Sequence, residues 1–275
     1  TWVSNEGTAS GNPLGFSSGI VFKGNGELDN GTTFTLTLSQ TDQSAYSNGT
    51  IVLDTPSFGK FTINQASGGV GIDVKDDAMP TAWEETDGAG LTTGHDKISG
   101  VGASMSVEWK SPTVMGSTIS LAYAPHNNGI LVNDKGTSGS AGKNRMQGGY
   151  DVLLDLNTAN AYMLPNIFLG YSSTAQDIDA KTQGTNLDHN QDHEEGVAGA
   201  VFSIGPVKFG AQASVEYLGN EQTGMDVWGY RNIAYGISFN VSDNLSLSYG
   251  RHESKKGLQS GTTEGTRVSE AESYQ

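Results

Sequence analysis

The chain has 275 residues, of which 38 are glycine, 35% hydrophobic and only 16% charged; this is too lean in apolar and charged side chains for a helical bundle, a coiled coil or a buried parallel sheet. Its 30 acidic and 15 basic residues leave a formal charge of −15, which argues against a nucleic-acid partner, since such binding neutralises phosphates with Lys and Arg. Cysteine is absent, which excludes disulfide scaffolds and thiolate metal sites, and no long apolar run marks a transmembrane helix.

Along the chain the recurring signal is alternation with a period of two, the mark of a sheet with two unlike faces. It predicts strands at residues 16–24, 32–40, 48–55, 60–66, 102–111, 118–124, 148–156, 166–173, 196–204, 207–217, 232–241 and 245–253, twelve in all. In the second, Phe34, Leu36 and Leu38 alternate with threonines. In the fifth, Ala103, Met105, Val107 and Trp109 alternate with Ser104, Ser106, Glu108 and Lys110. In the tenth, Val207, Phe209, Ala211, Ala213, Val215 and Tyr217 share one face, and Lys208, Gln212, Ser214 and Glu216 share the other. Most of these strands have the length that a tilted strand needs to cross a bilayer.

The connections alternate too. Short links carry turn chemistry, such as Asp29-Asn30-Gly31, Pro56-Ser57-Phe58-Gly59, Gly205-Pro206 and Ser242-Asp243-Asn244. Between them fall mostly longer connections at 41–47, 67–101, 125–147, 174–195 and 218–231. A meander closed into a barrel, tight at one rim and looped at the other, has this rhythm; a soluble Greek-key sandwich does not. Aromatic residues sort by rim as well. Tyr123, Tyr150, Tyr171, Tyr217, Tyr235 and Tyr249 are expected near the long-loop rim, and Phe22, Phe34, Phe61, Trp109, Phe209 and Phe239 near the short-turn rim. All twelve fall on the apolar face of their strand, as belts at two bilayer interfaces require. The expected fold is therefore all-β, a transmembrane up-and-down antiparallel barrel.

Three stretches then carry a resemblance. Phe22-Lys23-Gly24-Asn25-Gly26-Glu27-Leu28-Asp29-Asn30-Gly31 resembles the first periplasmic hairpin of general porins of Gram-negative outer membranes. Ser57-Phe58-Gly59-Lys60-Phe61-Thr62-Ile63 resembles their next hairpin. The run from Gly236 through Ser242-Asp243-Asn244 to Gly250 resembles a late hairpin of the alphaproteobacterial type. The resemblance implies a sixteen-stranded, water-filled, homotrimeric barrel in the bacterial outer membrane, for passive diffusion of small hydrophilic solutes and ions. In its register, residues 67–101 are the loop that folds inward to narrow the pore, and here they form the longest connection. Against sixteen strands, twelve plus an incipient C-terminal one imply a single barrel domain over residues 1–275, truncated at both ends. Small residues along 197–202 suit close contact between barrels.

Few residues carry chemistry. Gly15-Phe16-Ser17-Ser18-Gly19 matches a nucleophile-elbow string but lacks the strand before and the helix after that the elbow needs. Asp188-His189-Asn190-Gln191-Asp192-His193-Glu194-Glu195 mimics parts of zinc and calcium motifs, yet Asn190 and His193 occupy positions where those motifs need Glu and Gly. It reads as a solvated outer loop. No cofactor is expected, with weak divalent-cation binding by acidic loops the one candidate. The constellation that stands out is Asp73, Asp76, Asp77, Glu84, Glu85, Asp87 and Asp96 against Lys75 and Lys97 in the long connection. In a narrow pore these carboxylates enrich cations; the candidate basic wall is Lys23, Lys60, Lys110 and Lys208, all near the short-turn end, which favours a plainly acidic channel over a transverse field. The expected function is a cation-preferring porin with no enzymatic activity. The alternatives are an outer-membrane barrel hydrolase, which needs a converging Ser/His or Asp/His set, and a soluble β-rich surface adhesin.

Overall fold

The computed structural model describes residues 19–41, 48–65, 68–82, 86, 95–102, 104–125, 146–156, 164–176, 188–189, 191–221, 226–260 and 263–275. In chain order the strands are β1 (Gly19–Glu27), β2 (Thr33–Thr41), β3 (Asn48–Thr55), β4 (Gly59–Gln65), β5 (Met105–Lys110), β6 (Thr118–Ala124), β7 (Met146–Leu156) and β8 (Asn166–Gln176). They continue with β9 (Asp188–His189), β10 (His193–Ile204), β11 (Val207–Tyr217), β12 (Asn220–Glu221), β13 (Asp226–Ser242), β14 (Leu245–Ser260) and β15 (Thr263–Tyr274). Thirteen of them form one sheet, each strand antiparallel to the next in sequence, while the short β9 and β12 pair with each other.

The turns that the sequence marks are where the hairpins close. Thr55 Oγ1 accepts the Phe58 N–H at 3.1 Å and donates to the Gly59 carbonyl at 2.8 Å. Gly59 has φ 83°, and a Cβ there would press on the backbone of Lys110 and Ser111 in the adjoining strand. Only glycine meets both demands.

Burial is inverted relative to a water-soluble sheet. Leu36, Ile51, Leu53, Ile63, Val107, Leu121, Leu169, Ile233 and Ile237 are exposed, whereas Asn64, Ser106, Glu108, Asp151, Ser172, Glu195, Ser214 and Asn232 are buried. The bare face is apolar and the covered face polar, which suits lipid outside and polar groups within. What covers the polar face is the connection between β4 and β5. Its described residues touch strands from β4 round to β15, so the sheet curls about them.

Three differences from the sequence-based expectation have a common cause. β13 and β14 begin or end about seven residues beyond the expected 232–241 and 245–253, and the incipient last strand is a full twelve-residue β15. Above Tyr249 the bare-face positions of β14 are Arg251, Glu253 and Lys255, so the apolar alternation stops while backbone pairing continues. Tyr235 and Tyr249 have ring centroids 6.5 Å apart, and Tyr249 and Tyr274 5.1 Å apart. This tyrosine row bounds the apolar band. Just past it, Arg251 pairs with Glu270 at 3.1 Å and Glu272 at 3.2 Å. The third difference is at His193–Glu195, expected in a solvated loop: they open β10, with His193 and Glu195 buried on the polar face.

Candidate functional site

The segment over the polar face is held mainly by carboxylates of the wall that accept its backbone N–H groups. Glu108 of β5 accepts from Gly71 at 2.7 Å. Asp151 of β7 accepts from Ile72 at 3.0 Å and from Val101 at 3.2 Å, so one side chain clasps both ends of the segment. Glu195 of β10 accepts from Ser99 at 3.0 Å and Gly100 at 2.6 Å. Such charge-assisted bonds are the strong class, and here they satisfy amides that a buried loop would otherwise leave unpaired. Farther round, Gln212 of β11 donates to the Lys75 carbonyl at 2.7 Å, and Ser248 of β14 accepts from Ala82 at 2.8 Å.

Apolar packing completes the seat. Ile72 and Ile98 of the segment are buried against Leu153, Phe168 and Val197 of β7, β8 and β10. Lys75 forms a 2.7 Å ion pair with Asp155 and lies 4.8 Å from the Phe168 ring centre. Glycines on the polar face make room. A Cβ at Gly170 would lie 2.7 Å from Ile72 Cγ2, and one at Gly236 2.6 Å from the Pro80 carbonyl oxygen.

Within this frame, residues Gly71–Lys75 form a single 3-10 turn carrying Asp73, with Asp76 and Asp77 just after it. Asp73 accepts the Gly69 N–H at 2.6 Å, and burial, opposed by that bond, holds its carboxyl above the usual range. Asp76 is pushed up to about 7, by burial first and then by the charges of Asp77 and Asp73, with Lys97 acting the other way. Asp76 and Asp77 share a crevice with Thr81, Ala234 and His252, and Asp77 is the exposed member of the three acids. Glu84, Glu85 and Asp87, grouped with them from the sequence, lie outside the described residues.

Lys60 and Lys110 are direct cross-strand partners on β4 and β5. They sit on the same face as Glu108, one two-residue step, roughly 7 Å, closer to the short turn. Asp54 faces Lys60 from β3. The structure thus brings Asp73, Asp76 and Asp77 together and sets the lysine pair beside the Glu108 anchor. The anchoring acids Glu108, Asp151 and Glu195 escaped the sequence reading, and their signal was a carboxylate at an inward strand position.

An antiparallel meander with an apolar bare face, tyrosine rows and a polar covered face defines a transmembrane β-barrel protein. A family profile described as Gram-negative porin matches residues 1–274, and the chain belongs to that family. It is an outer-membrane porin. Among solved structures, the complex of Salmonella typhi OmpF with daunomycin aligns over 98% of this chain and 94% of its own, with 11% identity and a TM-score of 0.57. In-vitro folded OmpT of Vibrio cholerae aligns over 92% of this chain and 72% of its own, with 15% identity and a TM-score of 0.56. The loop L8 deletion mutant of that protein aligns over 92% and 77%, with 15% identity and a TM-score of 0.55. At these identities what is shared is the fold. No curated protein matches the sequence.

Proposed function

We propose that this porin passes small hydrophilic solutes and ions by diffusion, that residues 67–101 narrow its pore, and that the narrowing prefers cations. The observation that carries this reading is the seating of an acidic segment on the polar face, with Asp77 exposed beside Asp76. A carboxylate at a constriction raises the local cation concentration, because low-dielectric walls focus its field. Lys60 and Lys110 lie toward the short turns on β4 and β5, beside Glu108, whereas Asp76 and Asp77 sit against β13 and β14, so the narrowing itself is plainly acidic. Asp73 serves the turn itself through its bond to Gly69, which leaves Asp77 as the main selective charge. The working unit in this reading is a homotrimer, supported by membership of the porin family and by the small residues at 197–202.

Size exclusion tests the constriction. In proteoliposome swelling, pentoses should enter much faster than trisaccharides, and a variant with residues 76–94 replaced by a short Gly-Ser link should admit both. Entry independent of solute size, or unchanged by the shortening, contradicts the reading.

A further inference from the structure

At the outer end of β10 and β11, one group of ionisable side chains does more than anchor the segment. Glu195 and Glu216 are direct cross-strand partners on the polar face, where like charges repel. The surroundings are dry, with Glu195 2% and His193 6% exposed. His193 Nε2 lies 2.8 Å from Glu216 Oε1 and 3.9 Å from Glu195 Oε1, and one donor atom from each of the three fits within 4.8 Å of the others. Asp96 enters from the segment and its carboxyl hydrogen-bonds with that of Glu216.

A second feature concerns unmet acceptors. Glu216 Oε2 and Asp96 Oδ2 are buried with no donor other than a proton shared between the two carboxyls, and Asn232 Oδ1 is buried without a partner. Asn232 is only 4% exposed, donates to Ser214 Oγ at 3.2 Å, and bonds toward Asp96. Buried acceptors are costly to leave unmet, and a pair of carboxyls held by one shared proton beside Glu195 favours a cation at this point.

We propose that His193, Glu195 and Glu216 bind one divalent metal ion of the zinc class, which braces the wall side chains that hold the segment. One imidazole nitrogen among carboxylate oxygens suits Zn²⁺ better than Mg²⁺ or Ca²⁺, which favour all-oxygen sets. The 2.8 and 3.9 Å separations bracket the edge of a tetrahedral zinc site, about 3.4 Å. Glu195 is already oriented as a ligand, because its Oε2 holds the Ser99 and Gly100 N–H groups and leaves Oε1 to coordinate. The metal would bridge β10 and β11 and, through Glu195, fix the carboxylate that holds the Ser99 and Gly100 end of the segment.

The proposal is tested by calorimetric titration of ZnCl₂ into chelator-stripped, detergent-solubilised full-length protein. One ion per chain is expected, with MgCl₂ and CaCl₂ unable to compete at tenfold excess. H193Q and E216Q should each weaken binding by about tenfold or more. Fold is checked by gel mobility without heating, and the visible absorption of Co²⁺ added to the wild type, read for four-coordinate nitrogen and oxygen ligation, gives the same answer if a wall variant fails to assemble. No zinc binding by the wild type, equal competition by Ca²⁺, or zinc binding unaltered in folded H193Q and E216Q overturns the proposal. The last result would assign the zinc to another part of the surface.

Discussion

Thr35 and Leu36 are neighbours in β2 whose side chains answer to different solvents. Leu36 is exposed on the bare face opposite Ile51, while Thr35 points to the polar side. An arginine at Leu36 should hinder assembly by about 2–4 kcal/mol near the bilayer midplane, whereas Thr35→Arg should be tolerated. Folded fractions across a urea series check this, and equal behaviour of the two variants contradicts the face assignment. Gly170 makes the matching point inside. A valine there meets Ile72 and Val197, and overpacking of that kind costs about 1–3 kcal/mol. Because the wall is paired on both sides of β8 and the segment is seated by fewer bonds, the segment should yield first. Single-channel recording of Gly170→Val should show larger or noisier conductance at unchanged heat stability, and loss of the barrel instead would contradict it.

At the scale of the element, the segment's hold on the wall depends on protons. The Asp76 carboxyl is pushed up to about 7, well above ordinary carboxylates, with burial the leading cause. A raised value in the seated state means that the seated segment binds more protons than a released one. Seating is therefore strongest in acid and weakens as pH rises from the ordinary carboxylate range through about 7, beyond which Asp76 adds no further loss. Amide-exchange protection of residues 68–82, corrected for intrinsic rates, should fall between pH 5 and pH 9; rising protection would reverse the sign. Much of this element was legible beforehand. Its length, its acids and its bracketing glycines stand together in the chain. Its anchors were not, since Glu108, Asp151 and Glu195 meet amides 37, 79 and 95 residues away, and only sheet register decides such pairings. A lone acid at an inward strand position reads like any other wet residue.

For the whole molecule, the strands at 48–55, 118–124 and 207–217 were legible to the residue, because clear alternation ends there in turn chemistry or at a long connection. The far ends of β13 and β14 were not, because charged residues replace apolar ones once the wall rises past its tyrosine row. A curled sheet of this kind does two things at once. Its bare face suits lipid, and its polar face offers carboxylates that seat one segment while Asp77 stays exposed. The central claim is that this seated acidic segment governs which ions pass. The zero-current potential across a planar bilayer under a KCl gradient measures it directly. Cation preference is expected at low salt, should fade as salt screens the charges, and should drop markedly in Asp77→Asn and further when Asp73 and Asp76 are also Asn. An anion-selective wild type, or a triple variant with an unchanged potential, would contradict the account.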